Sequence, residues 1–245
     1  MTETIPEIID GADPSLLLLC DHASNHVPDD IDLGIDAALL DKHVGVDIGA
    51  AALTRELSIR LLAPAVLATV SRLVIDLHRE PDHPGLAPAI TDGHDIPGNH
   101  GYNREGRIAR FHKPYHRTIA TEITRHRPSL LVAIHSFTAQ MASGGGLRPW
   151  QVGVLYNRDD RAARFAFAAL RNAGVVTGDN EPYSGRSLNA TLNRHGEARG
   201  IPCVSLEIRN DLIAEPEGVA YWSDIIEAAL GKVRNGLASK GVSAT

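Results

Sequence analysis

The sequence lacks the features of an extracellular or membrane-spanning protein. Only 2 of its 245 residues are cysteines, Cys20 and Cys203, and both lie in apolar strand-like runs, so a disulfide framework is not expected. The acidic start, MTETIPEIIDG, has no apolar stretch of the signal-peptide type. No apolar run approaches the ~18 to 20 residues that a membrane span needs. These absences predict a soluble, cytoplasmic protein with reduced, buried thiols.

The chain also lacks an excess of basic charge and has few aromatic residues. Its net charge is −6 and its pI about 6.0, so we expect neither a nucleic-acid partner nor a membrane partner. Aromatic residues make up 4% and hydrophobic residues 43% of the chain, so Leu, Val, Ile and Ala must fill the core. The length suits one large α/β domain, and we expect a single domain over residues 1–245 with a frayed tail over 237–245.

Strand-like and helical segments alternate along the chain. The predicted strands cover residues 16–20, 65–77, 129–135, 151–156 and 204–208, and the predicted helices cover 36–43, 47–62, 113–127, 159–172, 190–199 and 218–234. This alternation favours a three-layer α/β/α domain with a mostly parallel, mixed sheet. Two long polar connections, 79–107 and 137–150, are expected to form the rim of a site and to set its specificity.

Two histidines stand at the ends of strand-like runs. His22 follows SLLLLCD, His135 ends LLVAIH, and a third run, PCVSLEIR, contains Glu207. In an open α/β sheet, ligands bind beyond the carboxyl ends of the strands, so these side chains should meet at one edge. Neutral imidazole is a common metal ligand, and the carboxylate of Asp21 next to His22 could fix its tautomer. The pattern indicates a metal-assisted hydrolase, although a solvated histidine at a strand corner is the simpler interpretation of His22.

Several charged residues near these runs have two interpretations each. Asp47 could be a helix N-cap or a metal ligand, and spacing alone favours the cap. Asp76 lies in an apolar run and needs a cationic partner, for which an arginine is the obvious candidate. Arg72 and Arg79 lie seven residues apart, so in a strand they would point to opposite faces unless one lies beyond its end. Glu207 could be a general base or the ion-pair partner of Arg209.

Five segments, CDHASNHVP, VDIGA, SRLVIDLHR, IHSF and LEIRNDL, occur in this order between residues 16 and 212. Together they resemble the N-formylglutamate amidohydrolase family, which is related in fold to zinc carboxypeptidases and aspartoacylase. The resemblance implies a doubly wound α/β sheet and a hydrolase of linear amide bonds that acts in histidine catabolism. It also implies zinc, or another divalent metal, as the cofactor and a small N-acyl amino acid, such as N-formyl-L-glutamate, as the substrate.

The resemblance implies particular roles for the candidate residues. His22 and His135 correspond to metal ligands and Glu207 to the base. The carboxypeptidase-like pattern is HxxE, but Asn25 stands three residues after His22, so we take Asp47 as the carboxylate ligand.

Arg72 and the stretch from Asp76 to Arg79 match the family's substrate-binding and carbonyl-polarising residues, with His78 in place of an asparagine. Substrate binding is therefore predicted for Arg72, His78 and Arg79. Independently of the resemblance, His195 and Arg209 are further candidates for holding an anionic substrate.

In the predicted mechanism, zinc-activated water attacks the formyl or acyl carbonyl. Glu207 takes the water's proton and passes it to the departing amine, while Arg72 or Arg79 stabilises the oxyanion. Two alternatives stay open. The segment DHASN differs from the PHSG type associated with formylglutamate hydrolases, so the substrate could be a different N-acyl amino acid or a peptide. The protein could also be a non-catalytic relative that binds a metal or a carboxylate.

Overall fold

The structure, a computed structural model, describes residues 3–242. Nine strands are present: β1 (Glu7–Ile9), β2 (Leu16–Cys20), β3 (Ala65–Leu67), β4 (Ile90–Thr91), β5 (His94–Asp95), β6 (Leu130–Phe137), β7 (Val152–Leu155), β8 (Thr177–Asp179) and β9 (Cys203–Arg209), counted over the described residues. Seven of them form one sheet in the order β1-β3-β2-β6-β9-β7-β8, and β4 and β5 form a separate hairpin. Within the large sheet β1 and β7 run antiparallel to β3 and β9, and the other neighbouring pairs are parallel.

Helices cover both faces of the large sheet. They are α1 (Ala50–Leu61), α2 (Arg104–Arg107), α3 (Lys113–His126), α4 (Arg161–Asn172), α5 (Ala190–His195) and α6 (Pro216–Val242), and a π-helical turn, Ile108–His112, joins α2 to α3. One buried apolar cluster contains the inner faces of α1, α4 and α6, and a second contains those of α3 and α5. The predicted three-layer α/β/α fold with a mixed, mostly parallel sheet is confirmed.

The central strand β2 shows why a continuous apolar run is needed here. Leu16, Leu18 and Cys20 belong to the core on one side of the sheet, whereas Leu17 and Leu19 belong to the core on the other side. A parallel strand that is covered on both faces has no polar side, so an alternating pattern would be unsuitable. Cys20 is free and buried, as is Cys203, which agrees with the expectation of reduced thiols.

The prediction of a strand over residues 65–77 is wrong beyond Leu67. The chain leaves the sheet after β3 and folds into successive turns, in which Val74 N donates to Ser71 O (2.9 Å) and Arg79 N donates to Asp76 O (3.2 Å). The apolar residues of this segment are buried in the cluster around α3, although they do not pair with a strand. Burial rather than sheet pairing accounts for the strand-like composition.

The closing helix is longer than predicted. Because α6 extends to Val242, residues 237–242 of the predicted frayed tail are helical, and residues 243–245 lie outside the described part of the chain. Although α6 spans 27 residues, neither it nor another described helix has both the length and the hydrophobicity needed to cross a membrane.

Candidate active site

The sheet brings the three strand-borne candidates together at one edge. His22 lies two residues beyond the end of β2, His135 lies on β6, and Glu207 lies on β9. These three strands are consecutive neighbours, and His135 pairs directly with Glu207 in the β6–β9 register. All three side chains are buried and line the same pocket. The predicted meeting of these residues at the carboxyl edge of the sheet is therefore observed.

Two imidazoles converge on one carboxylate oxygen of Asp47. Its Oδ2 lies 3.2 Å from Nδ1 of His22 and 2.9 Å from Nδ1 of His135. The preference for Asp47 as a helix cap is wrong, because Gly49 occupies the N-cap position of α1 and the Asp47 side chain points to the histidines. Ligand atoms around a tetrahedral zinc ion stand roughly 3.3 Å apart, and the two distances from Asp47 Oδ2 are close to that value. The three residues form a group that could hold a metal ion.

Each of these histidines faces a second carboxylate with its other nitrogen. His22 Nε2 donates to Asp76 Oδ1 at 2.7 Å, and His135 Nε2 lies 3.2 Å from Asp21 Oδ2. In a neutral His22 this hydrogen bond leaves the Nδ1 lone pair available, which is the arrangement that orients histidine ligands in metal sites. His135 Nε2 and Asp21 Oδ2 lie close together but have no hydrogen-bond partner among the described residues. The expectation that Asp21 would orient its neighbour His22 is wrong, because Asp21 contacts His135 and Asp76 takes that position.

The charge of the cluster favours a cation. Asp21, Asp47 and Asp76 are all buried, and Arg72 bridges two of them, with 3.1 Å to Asp47 Oδ1 and 3.1 Å to Asp76 Oδ2. Burial alone would raise the pKa of each carboxyl, but His22 and Arg72 hold the pKa values of Asp47 and Asp76 below the ordinary value. Besides Arg72, the balancing charge can come from protons on the imidazoles: although burial lowers the pKa of a histidine, Asp47 and Asp76 raise the pKa of His22, and Asp21 and Asp47 raise that of His135. A divalent cation would supply the same charge in place of those two protons. The residues present therefore fit a divalent metal.

A second group, formed by Asp21, His78 and His135, could also hold a metal. Its carboxylate is less accessible, because Asp21 is fully covered and does not reach the pocket. The ring nitrogens of His78 are also occupied within the protein. Nδ1 lies 3.0 Å from Asp21 Oδ2 and 3.2 Å from Thr191 Oγ1, and Nε2 lies 3.3 Å from the Leu188 carbonyl oxygen. We therefore favour the group that opens to the pocket, and we assign His78 to the pocket wall.

Glu207 is placed as a general base would be. Burial raises its pKa to about 7, and within the described part of the chain its Oε2 is a buried atom without a hydrogen-bond partner. A base whose pKa lies near the working pH can both accept and return a proton. The alternative pairing with Arg209 is not observed, because Arg209 donates to Asp211 at 2.7 Å.

Both predicted arginines of the 72–79 segment line the pocket. They converge because this segment consists of turns, so the strand periodicity that would separate them does not apply. Arg72 is held by Asp47 and Asp76, whereas Arg79 has a longer contact, 3.6 Å from its Nε to Asp76 Oδ2. The Arg79 guanidinium is therefore less tightly held by carboxylates than that of Arg72.

Two predicted substrate-binding residues lie outside the pocket. Arg209 turns towards Asp211, and His195 lies in a buried cluster with His112 and His116. His116 Nδ1 and His195 Nε2 are 2.9 Å apart. In this cluster His116 Nε2 donates to the Leu77 carbonyl at 3.1 Å and His112 Nε2 to the Arg79 carbonyl at 3.0 Å. The cluster thus supports the backbone of the 76–79 segment from behind.

This buried cluster should make the fold sensitive to mild acid. Burial lowers the pKa of His195 to about 4, whereas an unfolded histidine titrates near ~6.5. Folded His195 stays neutral while the unfolded chain binds a proton, so the free energy of unfolding should fall as pH drops from ~6.5 towards 4, by up to ~3 kcal/mol. Urea unfolding between pH ~7 and ~5 should show a weaker pH dependence for His195→Gln than for wild type. His26→Gln, at an exposed position, is the matched control, and equal slopes for all three proteins would contradict the prediction.

Some residues of the site have roles that the sequence did not predict. Asp76 pairs with an arginine, Arg72, as expected, but it also accepts from His22 Nε2, and Asp21 lies against His135 rather than His22. His43, Asp92 and Tyr183 line the pocket from separate loops and were not predicted. The adjacency of Asp21 and His22 indicates that Asp21 does not contact His22, because successive side chains at a strand end point to opposite sides and contact different residues. The three loop residues belong to no motif that sequence spacing could reveal.

Comparisons with known proteins agree with this geometry. Residues 14–214 match the profile described as N-formylglutamate amidohydrolase. A crystal structure of a gene product from Agrobacterium tumefaciens is similar, with 29% identity, a TM-score of 0.89, and 97% of this chain and 96% of that chain covered. The N-formylglutamate amidohydrolase from Ralstonia eutropha JMP134 shares the fold, with 18% identity, a TM-score of 0.66, and 95% and 97% covered. Among curated proteins, none matches the sequence. The chain belongs to the N-formylglutamate amidohydrolase family.

Proposed function

We propose that this protein is a metal-dependent amidohydrolase that cleaves the N-formyl, or another N-acyl, group from an acidic amino acid such as N-formyl-L-glutamate. Family membership makes the chain a hydrolase of linear amide C–N bonds. The observation that carries the metal dependence is the convergence of His22 and His135 on Asp47 through Nδ1, while a second carboxylate faces each Nε2. Zinc is the first candidate, since it accepts nitrogen and oxygen ligands and leaves a position open in catalytic sites.

His22, Asp47 and His135 would hold the metal. When bound, the metal would lower the pKa of a water molecule and polarise the scissile carbonyl. Glu207 accepts the proton of the attacking water through its unpartnered Oε2 and returns it to the amide nitrogen, so that the amine departs. Burial raises the pKa of Glu207 to about 7, which favours return of the proton to the amine, and a bound cation would lower that pKa again.

The two arginines divide the remaining work. Arg72 is fixed by Asp47 and Asp76 next to the proposed metal ligands, so it stabilises negative charge that develops on the carbonyl oxygen. Arg79 contacts a carboxylate only through Nε, at 3.6 Å, and it lines the same pocket, so its guanidinium binds the substrate carboxylate. A guanidinium matches a carboxylate with two parallel hydrogen bonds, which a lysine cannot reproduce.

Arg79→Lys should therefore raise KM for N-formyl-L-glutamate about 10- to 100-fold, as expected for the loss of a charge-assisted hydrogen bond of ~1.5–3 kcal/mol. Arg209→Lys is the matched control, because this arginine pairs with Asp211 outside the pocket. Steady-state kinetics of both variants check the assignment. An equal rise of KM in the two variants, or none in Arg79→Lys, would remove Arg79 from substrate binding.

The proposed function is tested by metal analysis of the purified protein together with amine release from N-formyl-L-glutamate, with and without added Zn²⁺. Metal-dependent release supports it. Absence of both metal and activity contradicts the assignment of His22 and His135.

Product analysis separates the alternatives. Formate indicates deformylation, a longer acid or a free amino acid indicates a different N-acyl or peptide substrate, and bound metal without turnover on a panel of N-acyl amino acids indicates a binding protein. The cytoplasmic location and the place in histidine catabolism stay predictions from the sequence.

A further inference from the structure

Asp92 occupies the tip of the β4–β5 hairpin, above the pocket. Asp92 and Gly93 form the turn, with φ angles of 42° and 81°. Aspartate and asparagine tolerate this left-handed backbone better than other residues with a side chain. The Asp92 carboxylate is nevertheless 1% exposed, because it points away from the solvent and into a neighbouring loop.

Three segments of the chain meet at this carboxylate. Its Oδ2 accepts the backbone N–H of Ala142 (2.9 Å) and its Oδ1 accepts that of Ser143 (2.8 Å). His43 Nε2 lies 2.8 Å from Oδ2. Asp92 therefore joins the hairpin to the segment around His43 and to the glycine-rich 138–149 loop.

The 138–149 loop depends on this contact at its tip. Its neck is closed by Arg148, whose backbone N–H donates to Ala139 O (2.9 Å) and whose guanidinium donates to Thr138 O (3.1 Å). Residues 144–146 are three exposed glycines. Among the described residues, Asp92 is the only residue outside the loop that forms a hydrogen bond with positions 140–146.

The contact bears on the substrate because the joined segments form one side of the pocket. His43, Thr91, Asp92 and Met141 all line it, and they come from the three segments that Asp92 connects. Met141 directly precedes Ala142, so the position of its side chain follows the backbone that Asp92 holds. Release of that backbone would move the Met141 side of the pocket outwards.

We propose that Asp92 is a specificity-determining residue, which holds the 138–149 loop over the pocket and thereby limits the size of the N-acyl amino acid that is accepted. The inference rests on the proposed amidohydrolase function and adds the residue that sets its substrate range. Asp92 acts through the loop and need not touch the reacting atoms, so it is a positioning residue.

The test compares Asp92→Asn with Asp95→Asn. Asparagine keeps the left-handed turn but places an NH₂ group against an N–H donor, so it breaks at least one of the contacts to Ala142, Ser143 or His43. Asp95 lies on the same hairpin and its ion pair with His100 is exposed, so it controls for the change of charge. Two readouts are taken: hydrogen exchange of the peptide that carries Ala142 and Ser143, and kcat and KM for N-formyl-, N-acetyl- and N-benzoyl-L-glutamate.

We expect faster exchange of that peptide in Asp92→Asn only. We also expect kcat/KM for the N-benzoyl substrate, relative to the N-formyl substrate, to rise about tenfold, with KM affected more than kcat. Unchanged exchange would overturn the holding role, and changed exchange with an unchanged substrate ratio would overturn the specificity role. Absence of turnover by the wild type on all three substrates would instead refute the proposed function and the specificity role with it, while the exchange result would still report on the contact itself.

Discussion

We expect Glu207→Gln to lower kcat for N-formyl-L-glutamate about 10²- to 10⁴-fold, the range that a positioned acid or base contributes. Glutamine preserves the shape of the side chain but cannot accept the proton of the attacking water. Glu207 stands outside the group formed by His22, Asp47 and His135, so the metal content should stay near that of the wild type. Activity assays and metal analysis of the same preparation measure the two quantities together.

The matched control is Glu217→Gln, at an exposed position of α6, which should retain wild-type kinetics. A Glu207→Gln variant that loses its metal would show that the carboxylate is a ligand rather than the base. A variant that keeps the wild-type rate would show that the proton is handled by another group. The first result would add Glu207 to the ligand set, whereas the second would leave the assignment of His22, Asp47 and His135 unchanged.

The strand-borne part of the site could be predicted because its signals are local. An apolar run that ends in a polar residue marks a buried parallel strand and its carboxyl end, and topology then brings such ends together. His22 and His135 were found in this way. Glu207 was found from its alternation with apolar residues on β9, and the register with His135 followed from the sheet.

The remaining parts of the site depend on contacts between distant segments. Asp47 has the local sequence of a helix start, and only the position of α1 against β2 and β6 turns its side chain to the histidines. The segment 68–79 has a strand-like composition because it is buried, so the convergence of Arg72 and Arg79 could not be deduced from periodicity. The contact of Asp92 with Ala142 spans 50 residues and involves backbone amides, which leave no trace in the side-chain pattern.

Substitutions around the metal cluster should have graded effects on metal affinity. His22→Ala and Asp47→Ala each remove a proposed ligand and should abolish stoichiometric binding of Zn²⁺. Asp76→Ala removes the acceptor that fixes the His22 ring, and the loss of such an outer partner weakens metal affinity about 10- to 100-fold. Competition titrations with a chelating indicator measure these affinities, and circular dichroism confirms that each variant is folded.

The same titrations decide between the two candidate metal groups, because His135 belongs to both but His22 and His78 belong to one each. If the metal lies at the group that opens to the pocket, His22→Ala loses it and His78→Gln retains most of its affinity. Asp21→Asn should then show the smaller loss of an outer partner, since its carboxylate faces His135 Nε2 from behind. If His78→Gln and Asp21→Asn abolish binding while His22→Ala retains it, the metal lies at the buried group. Asp47 would then be an outer residue, and the water that Glu207 deprotonates could not be the metal's own ligand in the pocket.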